Sequence, residues 1–301
     1  MTEMISHPAM DEIDQVLAFM NACDNAEFGQ PDSDLEDLQE QWSELNLEKD
    51  AWIVRENGTI AGYACVDPGQ NRVSFDLYVH QSLSPAGLGA KLVGLCENRS
   101  RKLLAENPER YPSHMVGYAS RINTETVTAY EQNGFVAQTF QFRMQIDLDH
   151  PFEEPVFPDG YHLQPFHDGD EQALYDLVQS TFNWSGHVAT PFNEWYSALF
   201  RGGRFDPECF VTLWYGDQLV GAALSYDEGD RGWIRQLAIA SDQQGKGLGS
   251  RLLKHMFAFY QIRGAKSVAL GVASRNSKAG EFYEQCGMYR SREFIEFHKD
   301  L

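Results

Sequence analysis

One segment of this chain, residues 244–250 with the sequence QGKGLGS, has the residue types that bind phosphate. It follows an apolar, strand-like stretch at residues 234–239. Leu252, Leu253 and Met256 come after it at a spacing that predicts an amphipathic helix. The first amides of a helix have no partner within the helix, and they carry the positive end of its dipole. Glycines allow a ligand to approach closely, so the segment predicts an anion site at a helix start.

The spacing of this segment excludes two nucleotide-binding motifs. A P-loop ends in Gly-Lys followed by Ser or Thr, whereas Lys246 lies inside the run. A dinucleotide-binding fingerprint has the spacing G-x-G-x-x-G, whereas Gly245, Gly247 and Gly249 are two apart throughout. The pattern that fits is Q-x-x-G-x-G, formed by Gln244, Gly247 and Gly249. Taken alone, this pattern is also typical of a tight turn without a ligand.

A second segment, residues 276–288, makes the signal specific. It has the spacing N-x-x-A-x-x-x-Y-x-x-x-G-[FM], carried by Asn276, Ala279, Tyr283, Gly287 and Met288, and it follows a strand-like stretch at residues 268–272. Together the two segments resemble the acyl-CoA site of the GNAT superfamily of N-acyltransferases. The resemblance covers about the last third of the chain, and the order of motif, helix and strand matches throughout.

The resemblance implies that acetyl-CoA is the acyl donor. It places pantetheine along residues 237–239 and the pyrophosphate on the backbone of residues 244–250. The cofactor-binding residues implied in this way are Leu237, Ala238, Ile239, Gln244, Gly245, Lys246, Gly247, Leu248, Gly249, Ser250, Asn276 and Tyr283. Tyr283 is implied to be the general acid, since a phenol with a pKa near ~10 is protonated at neutral pH. Packing between helix and sheet is the alternative role for this ring.

The same pattern occurs earlier in the chain. Residues 84–93 repeat the glycine spacing, but Ser84 and Pro85 stand where the later copy has Gln244 and Gly245. The residues of the first copy that match the later motif are Leu77, Val79, Gly87, Gly89, Asn123, Tyr130 and Gly134. A proline has no N–H for a phosphate, so the first copy is the weaker acyl-CoA site.

This repeat predicts an α/β protein of two tandem GNAT modules, each a mixed β-sheet flanked by helices. The expected division is an N-terminal module with a degenerate motif at residues 1–148, a proline-containing linker at 149–160, and a catalytic C-terminal module at 161–301. The arrangement resembles the tandem two-module members of the superfamily, such as the mycothiol synthases.

The sequence does not identify a general base. Acids expected near the cleft are Glu194, Asp227, Glu228 and Asp230, with a surface charge as the alternative for each and water as an alternative relay. His187, beside Trp184 in the presumed acceptor region, has no partner pattern and is interpreted as a structural histidine.

Composition limits the partners. The net charge of −20 argues against a nucleic-acid partner. The acidic run at residues 27–50 is interpreted as a solvated helix face, with a field that attracts cationic acceptors as the alternative. Five scattered cysteines without a C-x-x-C pair indicate no metal site and no disulfide framework. No apolar run reaches the ~20 residues of a membrane span, so we expect no membrane partner and a cytoplasmic location.

The function predicted is transfer of an acetyl group from acetyl-CoA to a primary amine of a small molecule, by a monomer or homodimer. A non-catalytic acyl-CoA-binding or sensing protein is the alternative. A third interpretation, an aminoacyl-tRNA-dependent transferase on paired GNAT folds, is disfavoured by the intact run at residues 244–249 and by the negative charge.

Overall fold

The computed structural model describes residues 3–69, 73–80, 82, 84–109, 113–182, 189–200 and 203–301. They form two compact units, Met1–Gln141 with Arg292–Leu301, and Phe142–Ser291. Each unit is a mixed β-sheet with flanking helices, which confirms the predicted fold class. The units differ from the predicted division, because the C-terminal segment belongs to the first unit and residues 142–148 belong to the second. No helix in the described ranges has the length and apolarity needed to cross a bilayer.

The first unit begins with β1 (Glu3–Ser6), α1 (Ile13–Phe28), α2 (Leu35–Glu44) and α3 (Leu47–Asp50). It continues with β2 (Ala51–Glu56), β3 (Thr59–Asp67), β4 (Val73–Val79), α4 (Leu88–Glu106), β5 (His114–Ser120) and α5 (Thr124–Gln132). The sheet order is β1-β2-β3-β4-β5 and then β12 (Tyr289–Asp300), with β4 and β5 parallel and the other pairs antiparallel.

Two sequence expectations for the first unit agree with its structure. The hairpin between β2 and β3 turns at Asn57 and Gly58, both with positive φ, as an Asn-Gly turn requires. In the acidic run, α2 buries Leu38 and Trp42 and exposes Glu36 and Glu40. The interpretation of this run as a solvated helix face therefore fits the burial pattern of α2.

The second unit contains the end of β6 (Val136–Asp147), β7 (Tyr161–Pro165), α6 (Glu171–Thr181) and α7 (Phe192–Phe200). These are followed by β8 (Phe210–Tyr215), β9 (Gln218–Asp227), β10 (Arg231–Ile239), α8 (Leu248–Ile262), β11 (Ser267–Ala273) and α9 (Ser277–Gln285). The sheet order is β6-β11-β10-β9-β8-β7, and β10 and β11 are parallel. β9 is buried along most of its length, as expected of a central strand covered on both faces.

The predicted linker, residues 149–160, lies along α8, and we call it the strap. The side-chain amide of Gln261 donates to the carbonyls of Leu148 and His150 at 3.0 and 2.6 Å. The amide N–H of Phe152 donates back to the Gln261 side chain at 2.9 Å. Arg251 donates to the carbonyl of Val156 at 2.9 Å. These bonds hold the strap against the helix whose N-terminus carries the glycine run.

Candidate active site of the second unit

The sheet of the second unit opens between two parallel strands. Pairing of β10 with β11 ends at Ile234 opposite Leu270, whereas β10 continues to Ile239 and β11 continues to Ala273. Beyond that point, the backbone groups of these two described strands do not pair with each other. Buried backbone N–H and C=O groups require partners, so this opening is a place where a ligand can satisfy them.

A β-bulge lies at the start of this opening. Ile234 is opposite Ser225 of β9 and Gln236 is opposite Leu224, so Arg235 is the additional residue. A bulge bends its strand and increases the local twist, which turns the second half of β10 away from β11. In the first unit, β4 pairs with β3 from Ser74 to Val79 without such a shift.

The glycine run forms the predicted turn at the start of α8. Gly245 and Gly247 have φ values of 76° and 75°, a left-handed conformation that glycine adopts at low cost, and Gly247 caps the helix. The side chain of Gln244 donates to the carbonyl of Ile239 at 3.0 Å and so ties the turn to the end of β10. In the described chain, the amides of Leu248 and Gly249 have no protein acceptor. They are therefore available to an anion.

In the equivalent turn of the first unit, the amide of Gly89 also has no protein acceptor in the described chain, but the amide that corresponds to Leu248 has one. The amide of Leu88 donates to the carbonyl of Pro85 at 3.1 Å. The hydroxyl of Ser84 accepts from the amide of His80 at 2.7 Å and donates to the carbonyl of Ala61 at 2.5 Å. Since Pro85 also lacks an N–H, this turn offers fewer donors to a phosphate than its counterpart in the second unit.

The two equivalent tyrosines show the same contrast as the two turns: the hydroxyl of the first unit has a protein partner, whereas that of the second unit has none in the described chain. Tyr130 is fully buried, and its hydroxyl donates to the carbonyl of Tyr118 at 3.1 Å. Its ring packs edge-on against Phe75 and Phe297, each with ring centroids 5.2 Å away. Tyr283 is only partly buried, and its hydroxyl has no hydrogen-bond partner among the described residues. The hydroxyl of Tyr283 is therefore available to a ligand, and that of Tyr130 is not.

Burial raises the pKa of Tyr283 to about 12, and the nearby thiol of Cys286 contributes to this increase. A phenol with this pKa keeps its proton throughout the neutral range, so it can donate a proton but cannot act as a base there. Burial also raises the pKa of Tyr130 well above its ordinary value.

Asn276 and Lys246 have protein partners. Asn276 caps α9, with its side-chain oxygen accepting from the amide of Ala279 at 3.3 Å. The ammonium group of Lys246 donates to the side chain of Gln243 at 2.6 Å. These contacts give each residue a structural role beside the predicted one.

A cleft of about 710 Å³ lies beside the glycine turn, between the strap and α8. Two cationic residues of α8, Arg251 and Lys254, line it together with Gly247 and Ser250, and two acids of the strap, Glu153 and Glu154, line it as well. A Cβ at position 247 would lie 2.7 Å from the guanidinium of Arg251. Because Gly247 has no side chain, the guanidinium of Arg251 has room to lie beside this turn and its free amides.

Three of the four acids considered as bases are held in ion pairs. Asp227 pairs with Arg263 at 3.2 Å, Glu228 with Arg231 at 2.7 Å, and Asp230 with Lys266 at 2.6 Å. All three acids lie at or beside the turn that joins β9 to β10, before the bulge. The fourth, Glu194, lies on α7 next to Trp195 and has no ion-pair partner in the described ranges. Trp184 and His187 lie outside the residues that the structure describes.

The sequence did not single out Trp195 and Gln236, which the structure brings together. The indole N–H of Trp195 donates to the side-chain oxygen of Gln236 at 2.9 Å, directly after the bulge. No metal-binding cluster of histidine, cysteine or acidic residues occurs within the described chain.

These features fit an acyl-CoA thioester. The opened strand, the free amides at a helix N-terminus and the cations of α8 match its pantetheine, pyrophosphate and phosphate groups. The first unit retains the opening, since β4 and β5 pair only as far as Phe75 opposite Gly117. Aromatic rings fill the space around Phe75 there.

Comparison with known families identifies the class of protein. The model of the Acetyltransferase (GNAT) family matches residues 13–135 and again residues 171–288. The chain therefore belongs to this family of acetyltransferases and contains two copies of its domain.

Individual relatives support the tandem arrangement. The mycothiol acetyltransferase of Geodermatophilus obscurus is 26% identical over 293 residues, covering 91% of this chain and 90% of that protein. A GCN5-related N-acetyltransferase from Sphaerobacter thermophilus has a similar structure, with a TM-score of 0.84, 26% identity and coverage of 99% and 95% of the two chains. A tandem GNAT protein from the clavulanic acid biosynthesis pathway has the same fold, with a TM-score of 0.74, 16% identity and coverage of 99% and 98%.

Proposed function

We propose that the chain is an acetyl-CoA-dependent N-acetyltransferase that acts on a primary amine of a small molecule, with its active site in the second unit. The contrast between the two tyrosines carries the proposal. Tyr283, on the helix that follows β11, has an available hydroxyl, whereas Tyr130 is buried and already bonded. The family match supports the reaction class, and these contacts support the choice of unit.

Binding is assigned to the turn and the opened strand. The amides of Leu248 and Gly249 would hold the pyrophosphate, and the cations of Arg251 and Lys254 would lie near the phosphates. Backbone groups of residues 237–239 would pair with the pantetheine amides in place of a neighbouring strand. When bound, acetyl-CoA supplies a thioester carbonyl that an amine can attack.

Different residues around the thioester would then have different roles in the transfer reaction. Backbone N–H groups near the bulge at Arg235 would stabilise the negative charge that develops on the carbonyl oxygen. The hydroxyl of Tyr283 would donate a proton to the departing sulfur, which its raised pKa permits at neutral pH. Of the four acids considered as bases, Glu194 is the one outside an ion pair in the described chain, and we assign it removal of the amine proton, directly or through water.

The test is an acceptor screen that follows thiol release from acetyl-CoA. Amine-dependent release is expected, and Tyr283→Phe should lower its rate by about 10²- to 10⁴-fold while acetyl-CoA still binds. Glu194→Gln should lower kcat most at low pH, where fewer amine molecules are already deprotonated. Tight acetyl-CoA binding without thiol release to any amine would contradict the proposal and would favour a sensing protein.

A further inference from the structure

The first unit contains a cleft of about 600 Å³ between α3, β2 and α4, and we call it the α4 cleft. An apolar pair and three cations contribute to its lining: Trp52, Leu95, Lys49, Arg99 and Lys102. From Gly87 to Arg99 the helix advances by about 18 Å, since each residue adds ~1.5 Å. The α4 cleft is therefore separate from the glycine turn of the same unit.

Arg99 is oriented by a buried carboxylate. Its Nε donates to Oδ1 of Asp50 at 2.6 Å, and the two side chains are only 14% and 4% exposed. The other carboxylate oxygen of Asp50 accepts from the amide of Asn46 at 2.9 Å, which fixes the carboxylate in turn. Nη1 and Nη2 of Arg99 have no acceptor among the described residues. These two nitrogens, which we call the fork, are therefore able to bind two oxygens of an anion in the cleft.

Two further cations of the cleft have no protein partner. Lys49 on α3 and Lys102 on α4 are exposed, and neither ammonium group has a hydrogen bond or an ion pair within the described ranges. By contrast, Arg101, beside Lys102 on the same helix, pairs with Glu97 at 2.7 Å. An ammonium group has three donors on a flexible stem, so both lysines can turn towards an anion bound by the fork.

The rim of the cleft also carries acids, which limit the charge of a ligand. Glu48 and Glu106 line it, and both are exposed. They balance the charges of Lys49 and Lys102, so the rim as a whole is neutral. Water and salt screen exposed charges, whereas the largely buried fork of Arg99 has a fixed position. The cleft therefore suits a single anionic group better than the several phosphates of a nucleoside triphosphate.

The internal repeat shows that the shared fold does not require these cations. When the two glycine runs are aligned, Arg99 corresponds to Phe259 of α8, and Lys102 corresponds to Ile262. Phe259 packs against the core of the second unit, and Ile262 is 85% exposed. The same helix thus forms with an apolar residue at each position, so the two cations of α4 are a feature of the first unit alone.

We propose that the α4 cleft binds a small organic phosphate monoester. The fork of Arg99 donates to two phosphate oxygens, Lys49 and Lys102 donate to the third, and the organic part contacts Trp52 and Leu95. A carboxylate has only two oxygens, both of which the fork would occupy, so the lysines would add little to its binding. The site goes beyond acetyl transfer, and its occupancy does not depend on which unit carries the active site.

Three probes with the same aromatic ring test the class of ligand: phenyl phosphate, benzoate and phenol. The readout is the shift of the Trp52 indole N–H and Arg99 Nε–H signals in NMR spectra of the full chain. Dephospho-CoA, which has no phosphate monoester, is added to occupy the glycine turn. Phenyl phosphate should bind with a Kd of about 1 mM or lower, as two charge-assisted hydrogen bonds would give. Benzoate should bind at least about tenfold more weakly, and phenol should cause no shift.

Variants separate the fork from the general charge of the helix. Arg99→Lys keeps a cation beside the buried Asp50 but removes the fork, so it should weaken phenyl phosphate binding by at least about tenfold. Lys49→Gln combined with Lys102→Gln changes exposed positions only, and should reduce the preference for phenyl phosphate over benzoate to within about twofold. Arg101→Gln removes one charge from α4 outside the cleft, and should leave the Kd within about twofold of the wild-type value.

Four results would overturn the proposal. The first is the absence of any Trp52 shift with phenyl phosphate at about 10 mM. The second is benzoate binding as tight as that of phenyl phosphate. The third is unchanged binding in folded Arg99→Lys, and if that variant does not fold, unchanged binding in the double lysine variant decides the same question. The fourth is an equal loss of binding in Arg101→Gln, which would show that only the net charge of the helix matters.

Discussion

Replacing the two equivalent tyrosines by phenylalanine should separate catalysis from stability. Tyr283→Phe removes a hydroxyl without a protein partner among the described residues, so no hydrogen bond of the fold is lost. The free energy of unfolding should then change by less than about 0.5 kcal/mol. Loss of the general acid should lower kcat by about 10²- to 10⁴-fold, with little change in acetyl-CoA affinity.

Tyr130→Phe should have the opposite effect. The hydroxyl of Tyr130 is buried and satisfies the carbonyl of Tyr118 at 3.1 Å, so its removal leaves a buried acceptor without a donor. The expected loss of stability is about 1–3 kcal/mol. A destabilised but folded first unit should leave kcat within a few-fold of the wild-type value.

The assay combines thiol release at saturating acetyl-CoA with native-state hydrogen exchange of β5 and β11, which reports the stability of each unit separately. Full kcat in Tyr283→Phe together with lost kcat in Tyr130→Phe would place the chemistry in the first unit. Full kcat in both variants would show that thiolate departure needs no tyrosine in this protein. Either result would refute the assignment of Tyr283 as the acid.

Three further predictions follow from the same contacts. Gly247→Val and Gly87→Val impose the same strain at positive φ, but only the first should abolish acetyl-CoA binding in calorimetry; the reverse result would exchange the roles of the units. Because the pKa of Tyr283 is about 12, its proton is lost only as pH rises toward that value, so kcat should show no alkaline decline from Tyr283 below about pH 11. A decline near pH 10 that Tyr283→Phe removes would contradict this. Deleting residues 292–301 should remove the partner strand of β5 and the buried ring of Phe297, costing the first unit more than about 3 kcal/mol. Unchanged exchange protection of β5 in the truncated protein would contradict the unit boundary.

The sequence predicted the fold class and the glycine turn because both depend on local patterns. Apolar alternation marks β4, and helical spacing marks α8. Positive φ at Gly245 and Gly247 follows from residue type. The internal repeat identified the equivalent positions, including the two tyrosines.

Pairing between strands that are far apart in the sequence could not be predicted from local patterns. The C-terminal segment pairs with β5, far from it along the chain, and no local signal distinguishes that partner from a nearer strand. The strap was expected to be a linker because of its prolines, whereas its hydrogen bonds to Gln261 and Arg251 depend on side chains more than 90 residues away.

The bulge did leave a signal in the sequence. In β4 the residues on one face, Val73 to Val79, keep an even spacing. In β10 the apolar residues Ile234 and Leu237 are separated by three, which a regular strand cannot place on one face. One extra residue, Arg235, resolves the conflict. The bond between Trp195 and Gln236 left no such trace, because it joins an irregularly patterned segment to a strand.

Hydrogen exchange of the full chain with and without acetyl-CoA tests the central assignment most directly. Free amides at the start of α8 exchange quickly, and a bound pyrophosphate should slow them. We predict that acetyl-CoA protects the amides of residues 237–250 and leaves those of residues 84–90 unchanged. Protection of residues 84–90 with no change at residues 237–250 would show that the first unit binds the donor, and would contradict the assignment of the active site to the second unit.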